Sequence, residues 1–240
     1  MGLSAPWRGI EPMGMRKAAP WSGPPRAGAG HAAAVTVITA THLEAWAVRR
    51  TVRGEHIIQA GVGLRRLRRS EYGQVVVTCG LAGAVRPGLP TGSVIIPDRV
   101  LRPDGGWLTC DPSLVASLVA ASRELGLEPD RGPLGTASTF VRGAARQSWV
   151  ERGCVAVDME TGLLTASRIA AVRVVLDTPE QDLSEVWRRP ALVLVHPEVW
   201  REALWLCRAA PRCARRAATV LAAALRAYAP HAGNAEGVRR

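Results

Sequence analysis

Two apolar stretches of the sequence each end in an acid: Val155-Ala-Val-Asp-Met-Glu160 and Val172-Arg-Val-Val-Leu-Asp177. Both are short and rich in β-branched residues, which predicts two buried strands, and we expect a helix over residues 161–169 between them. Ligands of open α/β sheets bind outside the carboxyl ends of strands, so Glu160 and Asp177 are candidates to line such a crevice. Two acids there suit a polyhydroxylated substrate, with one carboxyl holding hydroxyls and the other transferring a proton. Alternatively, Glu160 caps a helix and Asp177 opens a turn.

Upstream of these stretches, short β-branched runs alternate with helical patterns. Strands are predicted at residues 35–39, 56–60, 75–79 and 93–97. Helices are predicted after residue 40, where the pattern carries Glu44, and over residues 112–126. This alternation predicts an α/β fold in which a sheet is layered between helices.

The C-terminal third changes to a long helical pattern over residues 197–228, which we expect Pro211 to break. Its second half places six residues on one face: Cys213, Ala217, Val220, Leu221, Ala224 and Tyr228. Arginines lie largely opposite. The favoured interpretation is a helix packed on its own core; the alternative is a basic helix on an anionic membrane, with Trp200 and Trp205 at the interface.

The composition describes a chain that can bury one sizeable core, with 240 residues of which 48% are hydrophobic. We expect one domain over residues 34–229, a disordered extension at 1–33 and a flexible tail at 230–240. No apolar run reaches the roughly 20 residues that span a bilayer. Five scattered cysteines, without a Cys-x-x-Cys pair, argue against a disulfide framework or a zinc site and fit a reducing cytoplasm.

The charge balance is strongly basic, with a formal net charge of +11. Its densest cluster is Arg65, Arg66, Arg68 and Arg69. Such a charge can indicate nucleic acid or an anionic membrane as partner. Because no aromatic residues are interleaved and no nucleic-acid-binding signature occurs, a solvated arginine-rich face is favoured over nucleic-acid binding.

The segments from Val35 to Asp177, taken in order, resemble the purine nucleoside phosphorylase and nucleosidase superfamily. The segments that carry the resemblance are the opening strand with Glu44, Gly61-Val-Gly63, Cys79-Gly-Leu-Ala-Gly-Ala-Val85, Gly92-Ser-Val-Ile-Ile-Pro97, Ser138-Thr-Phe-Val141, Val157-Asp-Met-Glu160 and Arg173-Val-Val-Leu-Asp177. The ending at residues 172–180 is most similar to the hopanoid-associated branch, whose members are thought to remove adenine from adenosylhopane. The resemblance implies a three-layer α-β-α fold with a mixed central sheet of the phosphorylase/hydrolase type, and a homo-oligomer.

The resemblance also implies a role for each candidate residue. Asp177 matches the acid that hydrogen-bonds or protonates purine N7, and Glu160 matches the carboxylate that accepts the ribose 2′- and 3′-hydroxyls. Glu44 matches the position at which nucleosidases hold the carboxylate that activates water. The residues matching the sugar, base and pocket contacts are Met159, Phe140, Val141, Gly80, Leu81 and Ala82, and Gly63 lets backbone approach a ligand.

The resemblance thus implies a nucleosidase that releases adenine from a 5′-substituted adenosine, either adenosylhopane-like or methylthioadenosine or adenosylhomocysteine. Phosphorylases of the family place an arginine and a serine where this chain has Thr78 and Leu81, and a carboxylate at Glu44 would repel phosphate. Hydrolysis is therefore favoured. A phosphate-dependent phosphorylase and a non-catalytic nucleoside- or lipid-binding relative stay open, as does the interpretation that Glu44 only stabilises a helix start.

The expected partner is thus a small-molecule nucleoside, and no cofactor or metal is expected. The expected location is the cytoplasm, with peripheral association at the inner face of the membrane as a further interpretation.

Overall fold

The computed structural model describes residues 35–68, 71–184 and 199–232. The extension expected at residues 1–33 lies outside the described residues, and so do residues 233–240 of the expected tail.

The described residues form one mixed sheet, as the sequence predicted. Its strands are β1 (Thr36–Thr39), β2 (His56–Gln59), β3 (Val75–Ala84), β4 (Val94–Ile95), β5 (Arg99–Leu101), β6 (Trp107–Thr109), β7 (Leu134–Thr136), β8 (Ala156–Asp158) and β9 (Arg168–Asp177). The strand order is β2-β1-β3-β8-β7-β5-β6, and β9 pairs with both β3 and β4. Each of the strands predicted from β-branched runs is present, although β4 is shorter than expected and β3 continues through the glycine-rich motif.

The two longest strands, β3 and β9, run parallel at the centre of the sheet. Their register places Gly80 opposite Arg173 and shifts by one residue between Ala82 and Gly83, so that Gly83 faces Asp177. A shift of this kind bends a strand and re-aims its side chains. Strand β8 runs antiparallel to β3, pairing Val157 with Gly83. Residues that follow β8 therefore run back along β3 instead of away from the sheet.

Four helices accompany the sheet in the described part of the chain: α1 (His42–Thr51), α2 (Pro112–Glu124), α3 (Ala145–Glu151) and α4 (Trp200–Ala232). One large core joins α1, α2 and α4 to the central strands. Trp149 of α3 packs in a separate cluster with Val157 of β8. The preceding residue of that strand, Ala156, belongs to the large core. Because successive residues of a strand face opposite sides, α3 lies on the other face of the sheet. The predicted three layers are present, and the second helical layer is thin.

The predicted helix over residues 161–169 is wrong. A single 3-10 turn covers Thr161–Leu163, and Arg168 and Ile169 already pair with β3. The turn is held by Asp158, which accepts hydrogen bonds from the backbone N–H and the hydroxyl of Thr161. Pairing with β3 therefore overrides the local helical pattern.

The crossover between β2 and β3 is equally short. A 3-10 turn at Val62–Leu64 is followed by loop, and no α-helix occurs in the described residues 61–68 and 71–74. Beside this connection the sheet is covered by a small cluster, in which Leu64 and Tyr72 pack on Ile38 of β1 and Val76 of β3.

The expected break at Pro211 is also wrong, since α4 continues through it. Proline removes one helical hydrogen bond, yet the residues around it, Ala209, Cys213 and Ala214, are all buried and keep the helix on the sheet. The predicted apolar face is confirmed: Ala217, Val220 and Leu221 are fully buried, and Arg212, Arg215 and Arg216 are exposed. Packing on the chain's own core is therefore the correct interpretation of this half of the helix.

We predict that Leu221→Ala lowers the free energy of unfolding by about 2–5 kcal/mol, because Leu221 is 0% exposed and its removal leaves a cavity. Leu204→Ala on the same helix is the matched control. Leu204 is 55% exposed, so its loss should cost about 0.5 kcal/mol or less. Urea denaturation of both variants measures the difference. Equal losses would contradict the packing of α4 described above.

Candidate active site

A cavity of about 700 Å³, including its open mouth, lies where β3, β8 and β9 meet. The three predicted acids, Glu44, Glu160 and Asp177, all line it. They arrive from different parts of the chain: Glu44 from α1, Glu160 from the bend after β8, and Asp177 from the last residue of β9. The sequence predicted this convergence. Strand β8 is parallel to β7 but antiparallel to β3, so Glu160 approaches the cavity from the direction opposite to that of Asp177.

Most of the other predicted residues also lie in the cavity wall. Met159, Phe140, Val141, Leu81 and Ala82 line it directly. The two predicted glycines lie just behind the wall. The backbone N–H of Gly63 donates to Glu160 Oε1 at 3.1 Å, and Gly80 lies beneath the carboxylate of Glu44.

Glu44 both caps a helix and faces the cavity. It is the third residue of α1 and forms a reciprocal capping box with Thr41, in which the Thr41 hydroxyl accepts from the Glu44 N–H. Its Oε2 accepts hydrogen bonds from the Thr41 N–H (2.7 Å), the Thr41 hydroxyl (2.9 Å) and the Ala40 N–H (3.1 Å). Its Oε1 accepts from the Leu81 N–H at 2.8 Å. With Glu44 only 3% exposed, these donors fix the carboxylate in one orientation at the cavity edge.

Arg173 is the central cation of the site, and no role was predicted for it from the sequence. It is 1% exposed. Its Nη2 lies 2.7 Å from Asp158 Oδ2 and 3.5 Å from Glu160 Oε2, and donates to the Thr161 hydroxyl. Its Nε and Nη1 have no hydrogen-bond partner among the described residues. The sequence does contain a signal for it: a charged residue stands inside the apolar run of residues 172–176. Because buried charges are paired, such a residue predicts acidic partners nearby.

Gly80 makes the approach of Arg173 and Glu44 sterically possible. A Cβ at this position would overlap Glu44 Oε1 and lie 2.7 Å from Arg173 Nη1. The absence of a side chain on β3 therefore creates the space in which the carboxylate and the guanidinium share one side of the strand.

Glu160 is held between a backbone donor and a cation. Burial raises its pKa to about 7, the Arg173 guanidinium opposes that rise, and the carboxylates of Asp158 and Glu44 add to it. Asp158 is itself bound by the hydroxyls of Thr136 and Thr161. Glu160 can therefore accept hydrogen bonds from paired hydroxyls through a carboxylate already oriented by Gly63.

Asp177 is buried and bonded to a second arginine, Arg146 of α3. Burial raises the pKa of Asp177, and its hydrogen bond and charge interaction with Arg146 oppose the rise. Arg146 was not predicted from the sequence, because it stands in a short helix with no apolar run around it to mark it as buried. A buried carboxyl with a raised pKa is suited to transfer a proton near neutral pH.

The family is established by a match over residues 64–185 to the model described as the phosphorylase superfamily. The chain belongs to the phosphorylase superfamily. The matched region contains β3, β8 and β9 with Glu160 and Asp177, whereas α1 with Glu44 precedes it.

Solved structures with this superfamily's fold align with most of the chain. A mutant of Helicobacter pylori MTAN with 5′-methylthioadenosine in its active site superposes with a TM-score of 0.62 and 11% identity, covering 81% of this chain and 99% of that one. The S-adenosylhomocysteine nucleosidase of Streptococcus pyogenes superposes with a TM-score of 0.62 and 17% identity, covering 82% and 98%. Futalosine hydrolase of Helicobacter pylori gives 0.60 and 12%, covering 82% and 98%. At these identities the likeness establishes the fold.

A search of curated proteins finds no match. Within the described residues, no helix has the length and apolar character to cross a membrane.

We predict that Gly80→Ala lowers the free energy of unfolding by about 1–3 kcal/mol, because the added methyl group must displace Glu44 or Arg173 from a buried position. Gly106→Ala is the control, since its Cβ would meet the exposed side chain of Asp104 and would lie 3.9 Å, an ordinary contact distance, from Cδ of the half-buried Arg102. That variant should lie within about 0.5 kcal/mol of the unsubstituted protein. Chemical denaturation compares the two variants. An unchanged free energy of unfolding in Gly80→Ala would contradict the close approach of Glu44 and Arg173 to this position.

We predict that the free energy of unfolding depends on pH through Glu160, and that Glu160→Gln removes this dependence. A carboxyl whose pKa rises to about 7 on folding binds its proton more tightly in the folded state. It therefore stabilises the fold below its unfolded pKa, and this contribution is lost as the pH rises from about 4.5 to about 7. Across that window the unsubstituted protein should lose roughly 2–3 kcal/mol relative to Glu160→Gln. Urea denaturation of both proteins at several pH values measures this dependence, and parallel curves would exclude it.

Proposed function

We propose that this protein is a nucleosidase that hydrolyses the N-glycosidic bond of a 5′-substituted adenosine and releases adenine. The observation that carries the proposal is the convergence of Glu44, Glu160 and Asp177 on one cavity. Breaking such a bond requires help for the departing base, stabilisation of a cationic sugar and a nucleophile, and each acid suits one of these tasks.

Glu160 and Met159 suit the sugar. An oriented Glu160 carboxylate can accept two hydrogen bonds from the 2′- and 3′-hydroxyls, and its negative charge stabilises the positive charge that develops on the ring as the bond breaks. Met159 lies beside it in the cavity wall. We assign Glu160 and Met159 to sugar binding, with Gly63 orienting Glu160 from behind.

Asp177 suits the departing base. It lines the same cavity as Phe140 and Val141, which provide an apolar surface for a purine. In the proposed reaction Asp177 gives its proton to N7 as the bond between C1′ and N9 breaks. Water adds its hydroxide to C1′ and its remaining proton passes to Glu44, so that atoms and charges balance. Leu81 and Ala82 would line the sugar side of the cavity, with Gly80 just behind them.

The charge around Glu44 supports water as the nucleophile instead of phosphate. Among the described residues, no lysine, arginine or histidine lines the cavity. Two arginines lie behind the wall: Arg173 is already faced by Asp158, Glu160 and Glu44, and Arg146 is paired with Asp177 and Asp182. A phosphate dianion would therefore meet a carboxylate without a free positive charge, whereas a neutral water molecule would not be repelled.

The 5′-substituent is proposed to be apolar. Val62, Leu176 and Leu183 belong to the cavity wall, and Val62 is also exposed. Methylthioadenosine, adenosylhomocysteine and an adenosylhopane-like lipid are the candidates that the resemblance to the family suggests. Of these, methylthioadenosine and the lipid carry an apolar 5′-group, which suits this wall best.

One observation favours a second candidate, a nucleoside-binding relative without catalysis. Arg146 holds Asp177 in an ion pair, and an ionised Asp177 has no proton to give. The convergence of the other two acids and the space between them favour the enzyme.

We also propose that the protein works in the cytoplasm and associates with further copies of itself or with the membrane surface. Trp200 and Leu204, on the first two turns of α4, are 57% and 55% exposed and lie among exposed arginines, which supports such a contact.

The test is adenine release from methylthioadenosine, adenosylhomocysteine and an adenosyl-lipid, with and without phosphate. We expect release without phosphate. Glu44→Gln should lower kcat/KM by about 10²–10⁴-fold, because the carboxylate that takes the proton of water is lost. Glu124→Gln is the matched control. Glu124 is an exposed carboxylate at the last residue of α2, so this variant should retain full activity.

The outcomes separate the candidates. Strict dependence on phosphate would keep the fold and reverse the choice of nucleophile. Binding of these nucleosides in calorimetry without any release of adenine would leave the non-catalytic relative.

A further inference from the structure

Arg146 is almost completely buried, at 3% exposed, and bonds to three partners around the end of the sheet. Its Nη1 donates to the carbonyl of Ala84 at the end of β3. Its Nη2 donates both to Asp177 Oδ2, at the end of β9, and to Asp182 Oδ1 at 2.6 Å in the segment that follows. Arg146 therefore connects α3 to the predicted catalytic acid.

The charges of this cluster do not cancel. One guanidinium faces two carboxylates, so with both carboxyls ionised the cluster carries one net negative charge. Arg146 and Asp177 are buried, whereas the side chain of Asp182 is 25% exposed. The negative charge of Asp177 is therefore the one that is costly unless it is neutralised. Uptake of one proton by Asp177 would neutralise the cluster, and burial raises the pKa of that carboxyl.

The geometry defines which atom of Asp177 is left for a ligand. The register shift between β3 and β9 brings the carboxyl against Gly83, where an added Cβ would lie 3.0 Å from Oδ2 and 3.1 Å from Oδ1. Because Arg146 holds Oδ2, a bound base would meet Oδ1. Asp182 is fixed in turn by the backbone N–H of Gly143 at 2.6 Å, which keeps it within reach of the same guanidinium.

Resting on the nucleosidase function proposed above, we infer that Arg146 is a positioning residue for Asp177. It holds one oxygen of that carboxyl and, by dividing its hydrogen bonds between Asp177 and Asp182, determines whether Asp177 carries the proton that the leaving base needs. Asp182 is the competing acceptor that draws Arg146 away from Asp177.

The groups facing Asp177 determine the direction of the expected effect. Arg146 faces it from α3 and Asp182 from the following segment, where Glu180 also interacts with Arg146. Glu160 and Glu44 line the same cavity, and Gly83 of β3 lies against the carboxyl. Burial raises the pKa of Asp177, Arg146 opposes the rise and Asp182 adds to it. Removing Arg146 should therefore raise the pKa of Asp177 further, and removing the charge of Asp182 should lower it.

The test uses Arg146→Met, which removes the charge at similar length, Asp182→Asn, which keeps an acceptor for Gly143, and Arg146→Lys as the conservative variant. If protonated Asp177 is the active form, activity falls as the pH rises through its pKa. Relative to the unsubstituted protein, the alkaline limb of the kcat/KM profile should move up by about 1–3 pH units in Arg146→Met and down in Asp182→Asn. Arg146→Lys should restore most of the original position.

A second measurement is independent of turnover. Carbon-13 NMR of aspartate carboxyls, with the Asp177 signal assigned by its loss in Asp177→Asn, titrates this group directly in each variant. Shifts of opposite sign in Arg146→Met and Asp182→Asn support the inference even if no substrate is cleaved, in which case the proposed nucleosidase function alone fails. A titration of Asp177 unchanged in both variants would overturn the inference, and so would shifts of the same sign. Should Arg146→Met not fold, Asp182→Asn alone retains the test of sign.

Discussion

The guanidinium of Arg173, buried at the centre of the sheet, determines where the acids of the cavity can lie. A buried positive charge requires negative partners within a few ångströms. Asp158 and Glu160 provide them from β8 and its bend, and Glu44 from α1. The arrangement is mutual: three carboxylates this close would repel one another without the cation, and the cation would be too costly to bury without them. Glycine at position 80 provides the space that both charges need.

The position of Asp177, the acid that does not face Arg173, depends on the shift in register between β3 and β9. At this shift Leu176 becomes the extra residue, its carbonyl accepts from the Thr91 hydroxyl, and the following carboxyl turns towards Gly83. Asp177 thus sits in a separate electrostatic environment from Glu160, next to Arg146 instead of Arg173. Two carboxyls of one cavity with different cationic partners can hold their protons at different pH, which is the requirement for assigning them different chemical tasks.

Glu160 and Asp177 were marked by their places at the ends of predicted strands, whereas the role of Glu44 came from the resemblance to the family. The sequence predicted the α/β class and six of the nine described strands, β1–β4, β8 and β9, because short β-branched runs are local signals, but it did not predict the short strands β5, β6 and β7. It missed Arg173 and Arg146, whose partners lie 12 or more residues away in the chain, so no short window contains the pair. It predicted a helix over residues 161–169 because the local pattern allows one, whereas pairing of Arg168 with β3 competes successfully for those residues. Pro211 was expected to break the helix, as proline usually does. The burial of the apolar face that continues on both sides of it outweighs one lost hydrogen bond.

The pairing of Gly80 with Arg173 also bears on how the chain reaches one alignment of its two longest strands. A slip of β9 by one residue would turn Arg173 to the helix-covered side, among Val172, Val174 and their aliphatic neighbours, with no acid to meet it. A slip by two would set it against Thr78 or Ala82, where a side chain fills the space. Strands made mostly of valine and alanine have many near-equivalent alignments, and Arg173 facing Gly80, together with Asp177 facing Gly83, distinguishes the correct one from the rest.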